Sequence, residues 1–264
     1  MQVDQLYCSD NYEHKLDNVR SLLVKSTEEE NLILVDAIQR LGMGRHYQEE
    51  IHTILTHYYA KKNGDSNTTY GRYSLHDVSL LFRLLRQQGY DVSSKVFNNF
   101  KGDDGKFRGE LRQDVTVLLE LYEAKQLSFE GEKILDEAED FSRKLLYRYS
   151  ADCKNSSFAD RIITRLRHPY HKTITRLAEK NFLTDFGTAN NGWEKPLKEL
   201  AEVDFLVGKS VYQEELLEVS KWWDGLGLTR ELKLARNQPL KWYTWSMAIL
   251  INDISLSKQR IELT

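Results

Sequence analysis

Apolar residues recur three and four positions apart along nearly the whole of this chain, and a chain with that period buries them by packing amphipathic helices. Leu34, Ile38 and Leu41 share one face, and Gly42 and Gly44 follow as candidates to end the helix. Ser74-Leu75-His76-Asp77 has the form of a capping box; Val78, Leu81, Phe82 and Leu85 line one face behind it, and Gly89 is the stop. Leu111, Val115, Leu118 and Tyr122 trace a third face. Ala201, Phe205, Gly208 and Tyr212 trace a fourth, starting just after Pro196, a residue suited to a first helical turn. Proline occurs only three times, and no stretch of strand length alternates with period two. The expected fold is all-α, with helices of ordinary length joined by short polar loops.

A chain of 264 residues makes one large domain or two ordinary ones. The boundary falls in Thr184 to Lys195, which is rich in Gly and Asn and has no periodicity. The expected division is a helical domain over 1–185 and an incomplete second domain over 186–264. No fixed repeat period is present, which argues against a short-repeat solenoid.

Several function classes are excluded. The longest apolar runs are about four residues, such as Ala248-Ile249-Leu250-Ile251, against the ~20 a membrane span needs. Basic residues number 37 and acidic residues 40, interspersed, and no basic block marks a nucleic-acid footprint. Cys8 and Cys153 match neither disulfide nor zinc spacing, so a reducing compartment is the simplest reading. Met1-Gln2-Val3-Asp4-Gln5 is neither a secretory signal nor an Arg/Ser-rich transit peptide. An intracellular protein is expected, with no transit peptide visible.

Four clusters invite a chemical reading. His46 and Glu50 are spaced for one helical face, with Glu49, His52 and His57 near, but the segment lacks His-Glu-x-x-His and reads as a solvated helix face. Asp103-Asp104 between Gly102 and Gly105 reads as a loop between helices rather than a cation site. His168-Pro169-Tyr170-His171 reads as a helix boundary, because proline breaks the geometry that would let two imidazoles converge. Trp222, Trp223, Trp242 and Trp245 crowd the last fifth of the chain. Three are read as core, and Trp245 as a pocket aromatic whose ring face can stabilise a cation.

The segment Leu234 to Trp245 sets an arginine, aromatic rings and a helix start side by side. Arg236 carries a planar fork of donors suited to a diphosphate. Lys258 to Thr264 reads like the opening of another helix with no stop signal, so the expectation is of a truncated protein.

In these segments the chain resembles a plant class I terpene synthase. The resemblance rests on Leu34 to Gly42, Leu75 to Val92, Phe100 to Leu121, Leu200 to Phe205 and Ser220 to Trp223, in that order. It implies an α-helical, α-barrel-like N-terminal domain followed by the first helices of a truncated α-helical catalytic domain. It implies Mg2+ (or Mn2+)-dependent ionisation of a prenyl diphosphate, geranyl or farnesyl, by the full-length parent. The family's Arg-x-Arg element, which guards the leaving diphosphate, stands here as Arg236-Asn237-Gln238, with Gln in the second place. In this the chain resembles the branch making acyclic alcohols such as linalool and nerolidol. Trp245 falls where the family has a pocket aromatic.

The family's tandem-arginine element has no counterpart before Asp10, and its aspartate-rich metal motif is expected after Thr264. No catalytic and no metal-binding residue is therefore expected in this chain, and no cofactor bound to it. A monomer of cytosol or plastid is expected, and the charge pattern and short apolar runs give no nucleic-acid or membrane partner. The competing reading is a non-catalytic helical binding or interaction module derived from such an enzyme.

Overall fold

The computed structural model describes residues 10–64, 73–109, 114–153, 157–186, 192–227 and 238–249. Among them the chain is all-α, as the periodicity predicts. Its helices are α1 (Asp10–Lys25), α2 (Glu28–Arg40), α3 (Gln48–Gly64), α4 (Leu75–Gln87), α5 (Val115–Lys125), α6 (Lys133–Asp152), α7 (Ser157–Arg167), α8 (Thr175–Asp185), α9 (Glu194–Gly225) and α10 (Gln238–Ile249). The one β element among the described residues is the isolated bridge Lys101↔Phe107. It closes the turn around Asp103 and Asp104, both exposed, so this pair is a loop, as expected.

Local chemistry sets the helix ends. At α4 the Ser74 hydroxyl accepts from the Asp77 backbone N–H and the Asp77 carboxylate accepts from the Ser74 N–H, the predicted capping box. The same helix ends at Gly89, whose φ of 83° is left-handed, with Tyr90 N–H donating to the Leu85 carbonyl. Gly42 ends α2 in the same way: φ is 74°, Gly42 N–H donates to Gln39, and Met43 N–H donates to Ile38. The Asp114 side chain caps α5 by accepting from the Thr116 and Val117 N–H groups. Leu111, predicted on that face, lies outside the described residues. α7 ends at Arg167 and α8 starts at Thr175, so His168-Pro169 is the expected boundary.

Helix length departs from expectation at α9, which runs for 32 residues. One buried stripe from Leu197 to Val219 explains its continuity. At its interior Gly208 the Arg176 guanidinium packs close, 3.3 Å from where a Cβ would stand.

By packing, the described residues form two compact units. One takes those within Glu28–Asp36 and Glu49–Thr173, the other those within Met1–Thr27, Ala37–Gln48 and Ile174–Thr264. Packing thus groups early segments with late ones, which a single boundary near 185 does not express. In the first unit α5 packs on α4 and α6, and α6 on α7. Leu118, Leu119, Tyr122, Leu146, Ile162 and Leu166 form a buried core there, and the Tyr122 hydroxyl donates to the Leu166 carbonyl at 3.0 Å.

That unit buries one cation completely. Arg83 Nη2 donates to Asp36 Oδ1 at 2.5 Å and to Glu120 Oε2 at 3.1 Å. Removing one member of a buried ion pair costs ~3–5 kcal/mol, because the remaining charge stays desolvated. Arg83→Met should therefore lower the unfolding free energy in denaturant titrations by about that amount; a loss below ~1 kcal/mol would mean that the two carboxylates tolerate burial without it.

Candidate functional site

The segment singled out by sequence is only partly described. Arg236 lies outside the described residues. α10 starts two residues later, with Pro239 in its first turn, where its missing N–H costs nothing.

One side chain fastens α10 to α9. Tyr243 is buried, and its hydroxyl donates to Glu215 Oε2 at 2.8 Å, with the Tyr212 carbonyl 3.2 Å away as a second acceptor. With Tyr243 turned inward, the neighbouring aromatics face elsewhere. Trp242 is 56% exposed and Trp245 71% exposed. Trp222, on α9, is also exposed, and Trp223 is half-buried. Three tryptophans were expected in the core; Trp222 and Trp242 are not there, because no described element covers their helix faces. Trp245, read from sequence as a pocket aromatic, lies on an open arc of α10.

Gln238, the residue that departs from Arg-x-Arg, is oriented by its own helix. Trp242 Nε1 donates to Gln238 Oε1 at 3.2 Å, one turn away. An indole N–H only donates, so the amide oxygen faces the ring and the NH2 group points away from it as a donor.

A second polar centre was missed by sequence reading. Asp204 is buried in α9, and three side chains from two segments distant in sequence converge on its carboxylate. Tyr12 donates at 2.7 Å, Arg45 Nη2 reaches both oxygens at 2.7 Å, and His46 Nε2 lies 3.0 Å from Oδ1. Burial alone would raise this carboxyl, but the His46, Arg45 and Tyr12 contacts outweigh it and hold it below the ordinary range. His46 therefore does not sit on a solvated helix face. It belongs to a short 3-10 turn (Gly44–His46) ahead of α3, so its spacing to Glu50 is not a helical one. The signal was available: Asp204 lies among Leu200, Ala201, Val207 and Gly208 in a buried stripe, and an acid in such a stripe needs partners.

Among the described residues no group of three or more His, Cys, Asp or Glu side chains could hold a metal ion. No described helix is long and apolar enough to cross a membrane.

Comparison with known proteins supplies the frame for these residues. The family model "Terpene synthase, N-terminal domain" matches residues 3–166. The chain is 51% identical over 256 residues to tricyclene synthase 0e23, chloroplastic, of Antirrhinum majus, covering 96% of this chain and 44% of that one. It is 40% identical over 262 residues to (E)-nerolidol synthase TPS18VF of Cannabis sativa, covering 94% and 46%. Isoprene synthase from grey poplar leaves (Populus x canescens) superposes with a TM-score of 0.85 at 30% identity, covering 99% of this chain and 50% of that one. A structure of that synthase with three Mg2+ ions and dimethylallyl-S-thiolodiphosphate gives 0.83 at 31%, with the same coverage. The chain thus spans half or less of the length of these relatives.

Replacing Asp204 takes the counter-charge from Arg45 inside the protein. Asp204→Ala should lower the unfolding free energy by ~3–5 kcal/mol, read from denaturant unfolding. A change within ~0.5 kcal/mol would show that the centre contributes nothing to the unit that contains it.

Proposed function

The chain belongs to the terpene synthase family, and on that premise we propose that it is part of a longer enzyme converting a prenyl diphosphate, geranyl or farnesyl diphosphate, into a terpene by metal-dependent loss of diphosphate. The observation that carries this reading is the match of residues 3–166 to the family's N-terminal domain. The likeness to an isoprene synthase crystallised with three Mg2+ ions and dimethylallyl-S-thiolodiphosphate supports the substrate class and the metal. In this reading residues 1–185 are the helical N-terminal domain and 186–264 open the catalytic domain. No described residues fit Mg2+, so none is assigned to it. The enzyme is a monomer of plastid or cytosol; the relative described as chloroplastic supports the plastid.

Three residues of this chain take part. Arg236 holds the leaving diphosphate through a charge-assisted contact, and its planar fork suits two phosphate oxygens at once. Gln238 stands in the second place of the element with a neutral amide, whose NH2 is left free to donate once Trp242 takes the oxygen. A neutral donor holds an anion less firmly than a guanidinium does. Trp245 offers its ring face to the carbocation left behind.

A loosely held diphosphate leaves the allylic cation open to water, which favours an acyclic alcohol such as linalool or nerolidol. The 40% identity to a nerolidol synthase supports that product, while the 51% identity to a tricyclene synthase weighs toward a cyclic one. The product spectrum is therefore the quantity to measure.

In the full-length enzyme, Arg236→Ala should lower kcat/KM by about ten-fold or more, the effect of losing a contact worth ~1.5–3 kcal/mol. Gln238→Arg should raise the share of cyclic products from geranyl diphosphate. An unchanged kcat/KM removes Arg236 from the site; an unchanged product spectrum discards the role given to Gln238 and leaves Arg236 in place.

The 264-residue chain by itself should turn over no geranyl diphosphate, since it contains no carboxylate cluster of the Asp-Asp-x-x-Asp kind to hold the metal. Pyrophosphate release by the purified chain with Mg2+, above a boiled control, would overturn this. Saturable binding of a prenyl diphosphate analogue without Mg2+ would turn the reading to a binding module instead.

A further inference from the structure

Glu179, on α8, is almost fully buried, yet only one of its carboxyl oxygens is satisfied. Oε2 accepts from Arg176 Nη1 at 2.9 Å, whereas Oε1 is buried without a hydrogen-bond partner. The carboxyl lies over the place a Cβ would occupy at Gly42, the left-handed residue that ends α2. A buried carboxylate with one oxygen unserved is costly when ionised and cheap when protonated.

The neighbouring cations are already engaged. Arg176 Nη2 donates to the Phe205 carbonyl, and its guanidinium lies 3.7 Å from the Phe205 ring centroid and 5.4 Å from that of Tyr212. Arg45 Nη1 donates to the Gly42 carbonyl at 2.8 Å while its Nη2 holds Asp204. His46 and Tyr12 are turned to the same Asp204, and Arg40 lies over Phe182, one turn along α8 from Glu179. Arg176 and Arg45 attract a charge on Glu179, but no donor reaches Oε1, and Asp204 opposes that charge.

We propose that Glu179 is a proton-operated latch on the turn formed by Leu41–Tyr47: protonated, it stays packed against Gly42, and ionised, it drives that turn open to reach water. Burial is the largest influence on this carboxyl and lifts it from 4.5 to about 7 against the pull of Arg176. The sign follows from linkage. The open form loses its proton near 4.5 and the closed form near 7. The closed turn is thus most stable below that window, weakens as pH rises through it, and levels off above.

The test is hydrogen exchange of the intact chain from pH 5 to 8, corrected for intrinsic exchange. The amides of Met43, His46 and Tyr47, which donate to Ile38, Met43 and Gly44, report the turn. Their protection should fall by roughly 100-fold across that range in the wild type and stay flat in Glu179→Gln. A slope that survives in Glu179→Gln assigns the switch to another group and overturns the proposal. Should that variant not fold, carbon-13 titration of the Glu179 carboxyl in the wild type decides. A midpoint near 7 supports the latch, and one in the ordinary carboxylate range overturns it.

Discussion

A single buried carboxylate, Asp204, decides how one of the two compact units is put together. Apolar contacts hold helices together but tolerate sliding, since one methyl group serves nearly as well as the next. A buried charge does not tolerate it. Asp204 is acceptable inside the protein only if Tyr12, Arg45 and His46 arrive with the correct geometry, and these stand 158 to 192 residues away in sequence. The centre therefore specifies register among α1, the turn after α2, and α9. Whether it adds net stability is a separate matter, because an apolar replacement of the whole cluster can be as stable as an ion pair.

The ionisation of three carboxyl groups follows their donors. Glu132, gripped by Arg86 through both oxygens and by the Phe129 N–H, is pulled down to about 2, chiefly by the Arg86 hydrogen bonds. Asp204 meets a much larger desolvation cost, and three side chains still hold it below its ordinary value. Glu179 is buried just as deeply, but only one oxygen is served, and it rises to about 7. Donor count, more than depth, separates the last two: similar burial gives opposite shifts according to how many N–H and O–H groups point at the oxygens.

Most of the helical architecture was legible because it is written in local terms. The capping box at Ser74, the glycine stops at 42 and 89, and the boundary at His168-Pro169 depend only on residues within a turn of each other. What escaped was non-local. Nothing near His46 announces that its partner is Asp204, and its spacing to Glu50 suggested a helix that the 3-10 turn interrupts. The length of α9 was likewise hidden, since a face traced from Ala201 to Tyr212 does not say that the helix runs on to Gly225. The tryptophans misled for a further reason. Large apolar side chains are buried only where something covers them, and sequence periodicity does not say what covers the outer faces of α9 and α10.

On α10 the residue that holds the helix and the aromatic residues left exposed are necessarily different. Successive residues step by about 100° around a helix, so Trp242 lies about 100° from Tyr243 on one side and Trp245 about 200° away. With Tyr243 committed to Glu215, neither ring can share its buried face. Gln238 falls one turn before Trp242, which is why the indole can orient its amide. The arc carrying Gln238, Trp242 and Trp245 is thus placed by a hydrogen bond to which none of them contributes. Sequence change on that arc leaves the anchor undisturbed. Change at Tyr243 or Glu215 instead frees the helix from α9 and so displaces all three residues together, rather than removing any one contact.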